Sequence, residues 1–165
     1  MTELPETAKL IAFLTMIGAG RTGHSRRHLM DHLLGTFELL DAWGCDRQIC
    51  LAGGLHSIYG TNLFPKESLQ ATARLAVASA FGAEAERLAW IFGSIDRPLA
   101  IERGYGSDRR RNVDVSLNPN DLMKLRLIEA ANLLEQGGSL DRWPNIKGAM
   151  LQQVERMSVA APNQD

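Results

Sequence analysis

Leu51-Ala52-Gly53-Gly54-Leu55-His56-Ser57-Ile58-Tyr59-Gly60-Thr61 opens with five residues that are apolar or glycine. It then places an imidazole, a hydroxyl and a phenol in close succession. Asp46 is a suitable N-cap, so the spacing predicts a helix from Arg47 to about Ile58 that is apolar nearly all round and therefore central. A polar group delivered by a central helix needs a partner, because leaving it unpaired costs about 1–3 kcal/mol. The reading of His56 thus sets the question for the rest of the chain.

At 165 residues and 45% hydrophobic, the chain has enough apolar material for one compact domain. Residues 1–158 are expected to form it, with a polar tail over 159–165. Eighteen basic against nineteen acidic residues leave a formal charge of −1, so no electrostatic case exists for nucleic acid or an anionic membrane. Met1-Thr2-Glu3-Leu4-Pro5-Glu6 carries acids where a secretory signal has bases, and the apolar run from Leu10 to Gly20 is too short to span a bilayer. A cytoplasmic location is the expectation. Cys45 and Cys50 lack metal-type spacing and read as reduced, packing thiols.

Working outward, the chain reads as helices without strand alternation. Leu10, Phe13, Leu14 and Ile17 place a first helix over Glu6 to Ile17. Ser25 can cap a second, reaching Trp43, with Leu29, Leu33, Phe37 and Leu40 on one arc. Pro65 suits the first turn of a fourth helix with Leu69, Ala73, Ala76 and Ala80 inward. A fifth runs from Ala83 to Ile95 and ends at Asp96, where the helix dipole disfavours a carboxylate and Arg97 is the nearest compensating charge. Residues 102 to 118, which include Arg109, Arg110 and Arg111, read as a long irregular connection, either a solvated loop or a lid whose arginines meet an anion. Asn118 and Pro119 open a sixth helix to about Gln136, and a last one covers Asn145 to Met157. The fold expectation is an all-α, single-domain bundle of about six to seven helices.

Helical phase sorts the polar residues. With 3.6 residues per turn, His32 borders the apolar arc of the second helix, Thr36 follows one turn later, and His24 looks outward. Asn132 lies one turn after Ile128 and should be buried. His32, His56, Asp96 and Asn132 then sit on four helices, an arrangement by which bundles assemble metal and ligand sites.

Two motifs carry a resemblance. Asp31-His32-Leu33-Leu34-Gly35-Thr36 followed by Leu55-His56-Ser57-Ile58-Tyr59-Gly60 resembles the opening of HD-domain proteins, closest in pattern to HD-type oxygenases such as myo-inositol oxygenase. Ala130-Ala131-Asn132-Leu133-Leu134 resembles the later run that supplies that superfamily's last Asp. His56-Ser57-Ile58-Tyr59-Gly60-Thr61 with Asp96-Arg97 is similar to an uncharacterised HD-like domain family. The resemblance covers about residues 24 to 136 and implies an HD-like helical bundle. It departs at two positions, where Ser57 and Asn132 stand for the two aspartates. No histidine follows His56 to hold a second ion.

Three readings follow. One is a mononuclear hydrolase or oxygenase with His32, His56 and Asp96 holding iron, manganese or zinc. A second is a metal-free enzyme with His56 as general base beside Asp96 and Arg97. The third is a metal-free binding or regulatory module. In each, Thr36, Ser57, Tyr59, Thr61 and Asn132 are the candidate ligand-binding groups, suited to a small oxygen-rich or anionic molecule.

Overall fold

The computed structural model describes residues 5–24 and 27–160. In chain order these form α1 (Glu6–Met16), a 3-10 turn (Ala19–Arg21), β1 (Gly23–His24), β2 (Arg27–His28), α2 (Leu29–Ala42), α3 (Arg47–Leu55) and a second 3-10 turn (Ala71–Ala73). They continue with α4 (Arg74–Phe81), α5 (Ala83–Ser94), α6 (Leu99–Arg103), β3 (Tyr105–Asp108), β4 (Val113–Ser116), α7 (Pro119–Glu135) and α8 (Pro144–Ala160). The described residues are therefore mostly helical, with two antiparallel two-stranded ribbons. No described helix is long and apolar enough to cross a membrane.

α3 is the central element, packed against α2, α5 and α7. Asp46 caps it, its Oδ1 accepting from Gln48 N at 2.9 Å. Every residue from Leu51 to Thr61 is buried. Gly53 and Gly54 make this possible: a Cβ on Gly53 would overlap Leu40 Cδ1, and one on Gly54 would stand 2.6 Å from Leu10 Cδ2. The helix stops at Leu55, three residues before the predicted end. Tight turns follow, Ile58 N to Leu55 O and Gly60 N to Ser57 O, with Gly60 at φ 72°.

The structure corrects the sequence reading elsewhere too. The second helix begins at Leu29, because the chain before it forms the β1–β2 hairpin, pairing Gly23 with His28 and His24 with Arg27. Ser25, its expected cap, lies outside the described residues, and His28 occupies the N-cap. Pro65 opens no helix. The carbonyl of Ile58, left over at the end of α3, accepts from both Ser68 N and Leu69 N at 2.9 Å, which folds residues 61–70 back on the core. Helicity resumes at Arg74 with Val77 and Phe81 inward, and Ala76 is exposed.

Residues 102–118 are ordered as the end of α6 and the β3–β4 ribbon, in register Tyr105↔Ser116 to Asp108↔Val113. Asp108 Oδ1 organises its turn by accepting from Arg110 N and Arg111 N. The three arginines bind the protein itself: Arg109 donates to Gly93 O, Arg110 to Tyr59 O and Ser94 Oγ, and Arg111 to Asp108. They are clamps for the ribbon. Finally, α8 extends through Val159 and Ala160, which the tail was expected to contain, and residues 161–165 lie outside the described set. Cys45 and Cys50 are free thiols, the first half-buried and the second buried.

Candidate functional site

α2, the end of α3 and α7 bring His32, His56 and Asn132 to one centre. His32 and His56 are each 1% exposed, and their Nε2 atoms stand 3.1 Å apart. Asn132 Oδ1 lies 3.0 Å from the same His32 nitrogen. Amide orientation follows from the partners: Asn132 Nδ2 donates to Glu129 Oε1 at 3.1 Å, so its oxygen faces the imidazoles.

The outer nitrogens assign the tautomers. His56 Nδ1 is 2.6 Å from Gly53 O, a carbonyl that can only accept, so the proton sits on Nδ1. His32 Nδ1 meets Glu135 Oε2, and the other carboxylate oxygen of Glu135 is paired with Arg27. A carboxylate oxygen facing Nδ1 takes a ring hydrogen, so His32 also carries its proton on Nδ1. Burial first, then the neighbouring His24 ring, lowers the His32 pKa to about 3. Burial and His32 hold His56 well below the usual imidazole range. Both rings are therefore neutral at pH 7, and both Nε2 atoms point bare lone pairs at each other and at the Asn132 carbonyl. Three acceptor atoms thus converge, of which Asn132 Oδ1 also accepts from Gln136 Nε2 at 3.0 Å.

Arg97 and Glu129 support this centre from behind. Arg97 Nε and Nη2 reach the two Glu129 oxygens at 2.7 Å each, and the side chains are 6% and 0% exposed. The guanidinium also lies over Phe92, 4.8 Å from the ring centroid, and Phe92 in turn packs edge-on to His56.

Asn132 also borders a cavity of about 230 Å³ whose other polar walls are His24, Ser57, Thr61, Arg97 and Gln136, closed on one side by Leu63 and Phe64. A larger hollow of about 490 Å³ lies between α5 and the β3–β4 ribbon, beside Trp90 and Leu117. It is more open, and the acids on its wall, Asp108 and Asp121, are paired with Arg111 and Arg87. The smaller cavity is the one joined to the unusual chemistry.

The site residues expected from sequence divide accordingly. His32, His56 and Asn132 come together, and Ser57, Thr61 and Arg97 line the adjoining cavity. Thr36 is buried, but its hydroxyl donates to His32 O within its own helix. Tyr59 packs against Trp90, away from the cavity, where burial and the Glu86 carboxylate raise its pKa. Asp96 does not join the histidines: α5 ends at Ser94, Ile95 bridges to Asp108, and the exposed Asp96 carboxylate accepts from Asn62 Nδ2 at 2.8 Å. Arg97, expected to compensate Asp96, is committed to Glu129. Among the described residues no three His, Cys, Asp or Glu side chains gather to share an ion.

Sequence reasoning missed Glu129, Glu135 and His24. The glutamates stand three residues either side of Asn132, so helical spacing had placed both near its face. His24, expected to look outward from a helix, belongs to β1, where helical phase does not apply. It is half-buried and stacked on His32, with centroids 4.4 Å apart and planes within 4°.

The profile of a family described as a domain of unknown function (DUF6817) matches residues 13–97, which is 85 of the 165 residues. The chain belongs to the DUF6817 family. No curated protein and no solved structure matches it. The DUF6817 match takes in His24, His32, His56, Ser57, Thr61 and Arg97, and ends before α7. Asn132, Glu129 and Glu135 are thus added to the DUF6817 segment by the C-terminal part of the chain.

Proposed function

We propose that the protein is a diverged HD-like domain that binds a small oxygen-rich molecule beside a single divalent cation, in the manner of a mononuclear hydrolase or oxygenase. What carries the reading is the 3.1 Å approach of the two Nε2 atoms, both stripped of hydrogen by acceptors at Nδ1. Two imidazole nitrogens sharing one ion stand about this far apart, given metal–nitrogen bonds of roughly 2.0–2.1 Å. The elements that supply them correspond to those the HD resemblance implies.

The donor set fits one borderline ion such as zinc, iron or manganese. His32, His56 and Asn132 would hold it. Charge compensation comes from one hydrogen bond further out, where Glu135 backs His32 and Glu129 backs Asn132, the usual role of carboxylates behind metal ligands. Such an ion supplies an acidified water or a polarised oxygen. The chain's own contribution is to fix both tautomers, to present the Ser57 and Thr61 hydroxyls, and to shelter the cavity beneath Phe64 and His24.

Metal analysis of the purified protein, with calorimetric titration of zinc and manganese, tests the reading. One ion per chain is expected, lost in His32→Gln and His56→Gln. A second reading, a metal-free binding module, is favoured by one observation: with Ser57 and Asn132 in place, no carboxylate among the described residues reaches the Nε2 side of the histidines, where Asn132 Oδ1 stands instead. Absence of metal binding in the unmodified protein would decide for it.

A further inference from the structure

Three buried residues that line the 230 Å³ cavity carry donor hydrogens not used in the hydrogen bonds among the described residues. Ser57 is 2% exposed and its hydroxyl makes no hydrogen bond among the described residues. Thr61 is 1% exposed, and its Oγ1 already accepts from Phe64 N at 2.9 Å, so its own hydrogen is directed elsewhere. Arg97 spends Nε and one Nη2 hydrogen on Glu129, and Nη1 has no partner among the described residues. The end of the guanidinium, one N–H from each terminal nitrogen, is left as a second fork. Among the described residues no carboxylate lines the cavity.

These donors open onto the cavity, since the sealed side-chain atoms without a partner among the described residues are Tyr59 Oη, Asn62 Oδ1 and Ser68 Oγ, so water or a ligand that accepts can serve them there. A planar group with two oxygens matches the guanidinium end, because arginine binds carboxylates through paired parallel N–H bonds. We propose that the cavity is a subsite for a small monocarboxylate, clamped by the free end of Arg97 and by the Ser57 and Thr61 hydroxyls, with the His24 ring as the opposite wall. Glu129 already neutralises the guanidinium, so each negative charge brought into the cavity rests on hydrogen bonds alone, and a dianion is disfavoured more strongly than a monoanion. The cavity is below the usual drug-sized range of about 300–1,000 Å³, which restricts the ligand to a few heavy atoms beyond the carboxylate.

This inference rests on the reading of the cavity as a ligand site but not on the cation. The test is therefore an NMR titration of the full chain, freed of metal by a chelator, with acetate, acetamide and inorganic phosphate near pH 7. Saturable shifts at Ser57, Thr61 and the Arg97 side chain are expected with acetate, and at least tenfold weaker binding with acetamide and phosphate. Ser57→Ala should weaken acetate several-fold. Arg97→Lys, which keeps the charge opposite Glu129 but loses the fork, should weaken it about tenfold. Equal response to acetate and acetamide, or acetate binding unchanged in both variants, would overturn the proposal. So would phosphate binding more tightly than acetate. Failure of acetate to bind in a protein that still takes up zinc removes the carboxylate subsite and leaves the cation centre, whereas the converse removes only the centre.

Discussion

His32 and His56 face each other through unprotonated Nε2 atoms 3.1 Å apart, an arrangement held in place by acceptors on the far side of each ring. Two lone pairs at this distance repel unless a cation lies between them, and burial, the first cause of the lowered pKa of both rings, disfavours a proton in that place.

Stability should follow from this in a defined pH window. Both rings are neutral when folded and titrate near 6.5 when unfolded. A lowered pKa contributes stability that is present above about pH 6.5 and is lost as pH falls towards the folded value. Urea midpoints of the metal-free protein should therefore drop between about pH 7.5 and about pH 5, and drop less in His32→Gln. A midpoint that stays level would contradict the neutral assignment.

Glu135→Gln should loosen the centre without removing a ligand. The amide can donate to His32 Nδ1 and so invite the wrong tautomer, with the hydrogen on Nε2. Loss of a partner behind a metal ligand typically costs about 10–100-fold in affinity, and zinc titration should show a loss of that order. An unchanged affinity would mean that Glu135 only anchors Arg27.

Asn132→Asp should act in opposite directions with and without metal. The Asn132 amide donates to Glu129 at 3.1 Å, so the substitution sets two carboxylates against each other in a buried site. Thermal melting should fall in chelator and rise above that value on adding manganese or zinc. Combined with Ser57→Asp, it should give stoichiometric metal binding by calorimetry. No binding even then would contradict the HD correspondence.

Arg97→Met should be among the most destabilising single changes, by about 3–5 kcal/mol, because Glu129 is fully buried and would lose its ionic partner. Arg97→Met with Glu129→Leu should recover most of the loss in chemical denaturation. If the double variant is as unstable as the single one, packing over Phe92 matters more than the ion pair.

Gly53→Ala should cost about 1–3 kcal/mol despite alanine's better helix propensity, since its methyl would overlap the buried Leu40. The same shift would move the carbonyl that fixes His56, so metal affinity should fall alongside the denaturation midpoint. A stabilised variant would show that α2 and α3 can separate freely.

Much of the architecture was already present in local chemistry. Asp46 and Asn118 name their helix starts because capping depends on residues two positions away, and both accept from the expected backbone N–H. The apolar run of α3 implied its central place, and helical phase turned His32 and Asn132 inward, since burial of one helix face is a property of its own sequence. The β3–β4 ribbon was hidden because its four-residue strands are too short to display alternation, and Pro65 misled because the Ile58 carbonyl, from another element, captured the backbone that follows. Asp96 and Arg97 show the same limit. Adjacent in sequence, they part where α5 turns into an extended bridge, one towards Asn62 and the other towards Glu129 on α7. Partner choice among charged groups is decided by which helices pack together, and so the meeting of His32, His56 and Asn132 became visible only when three distant segments were brought into one core.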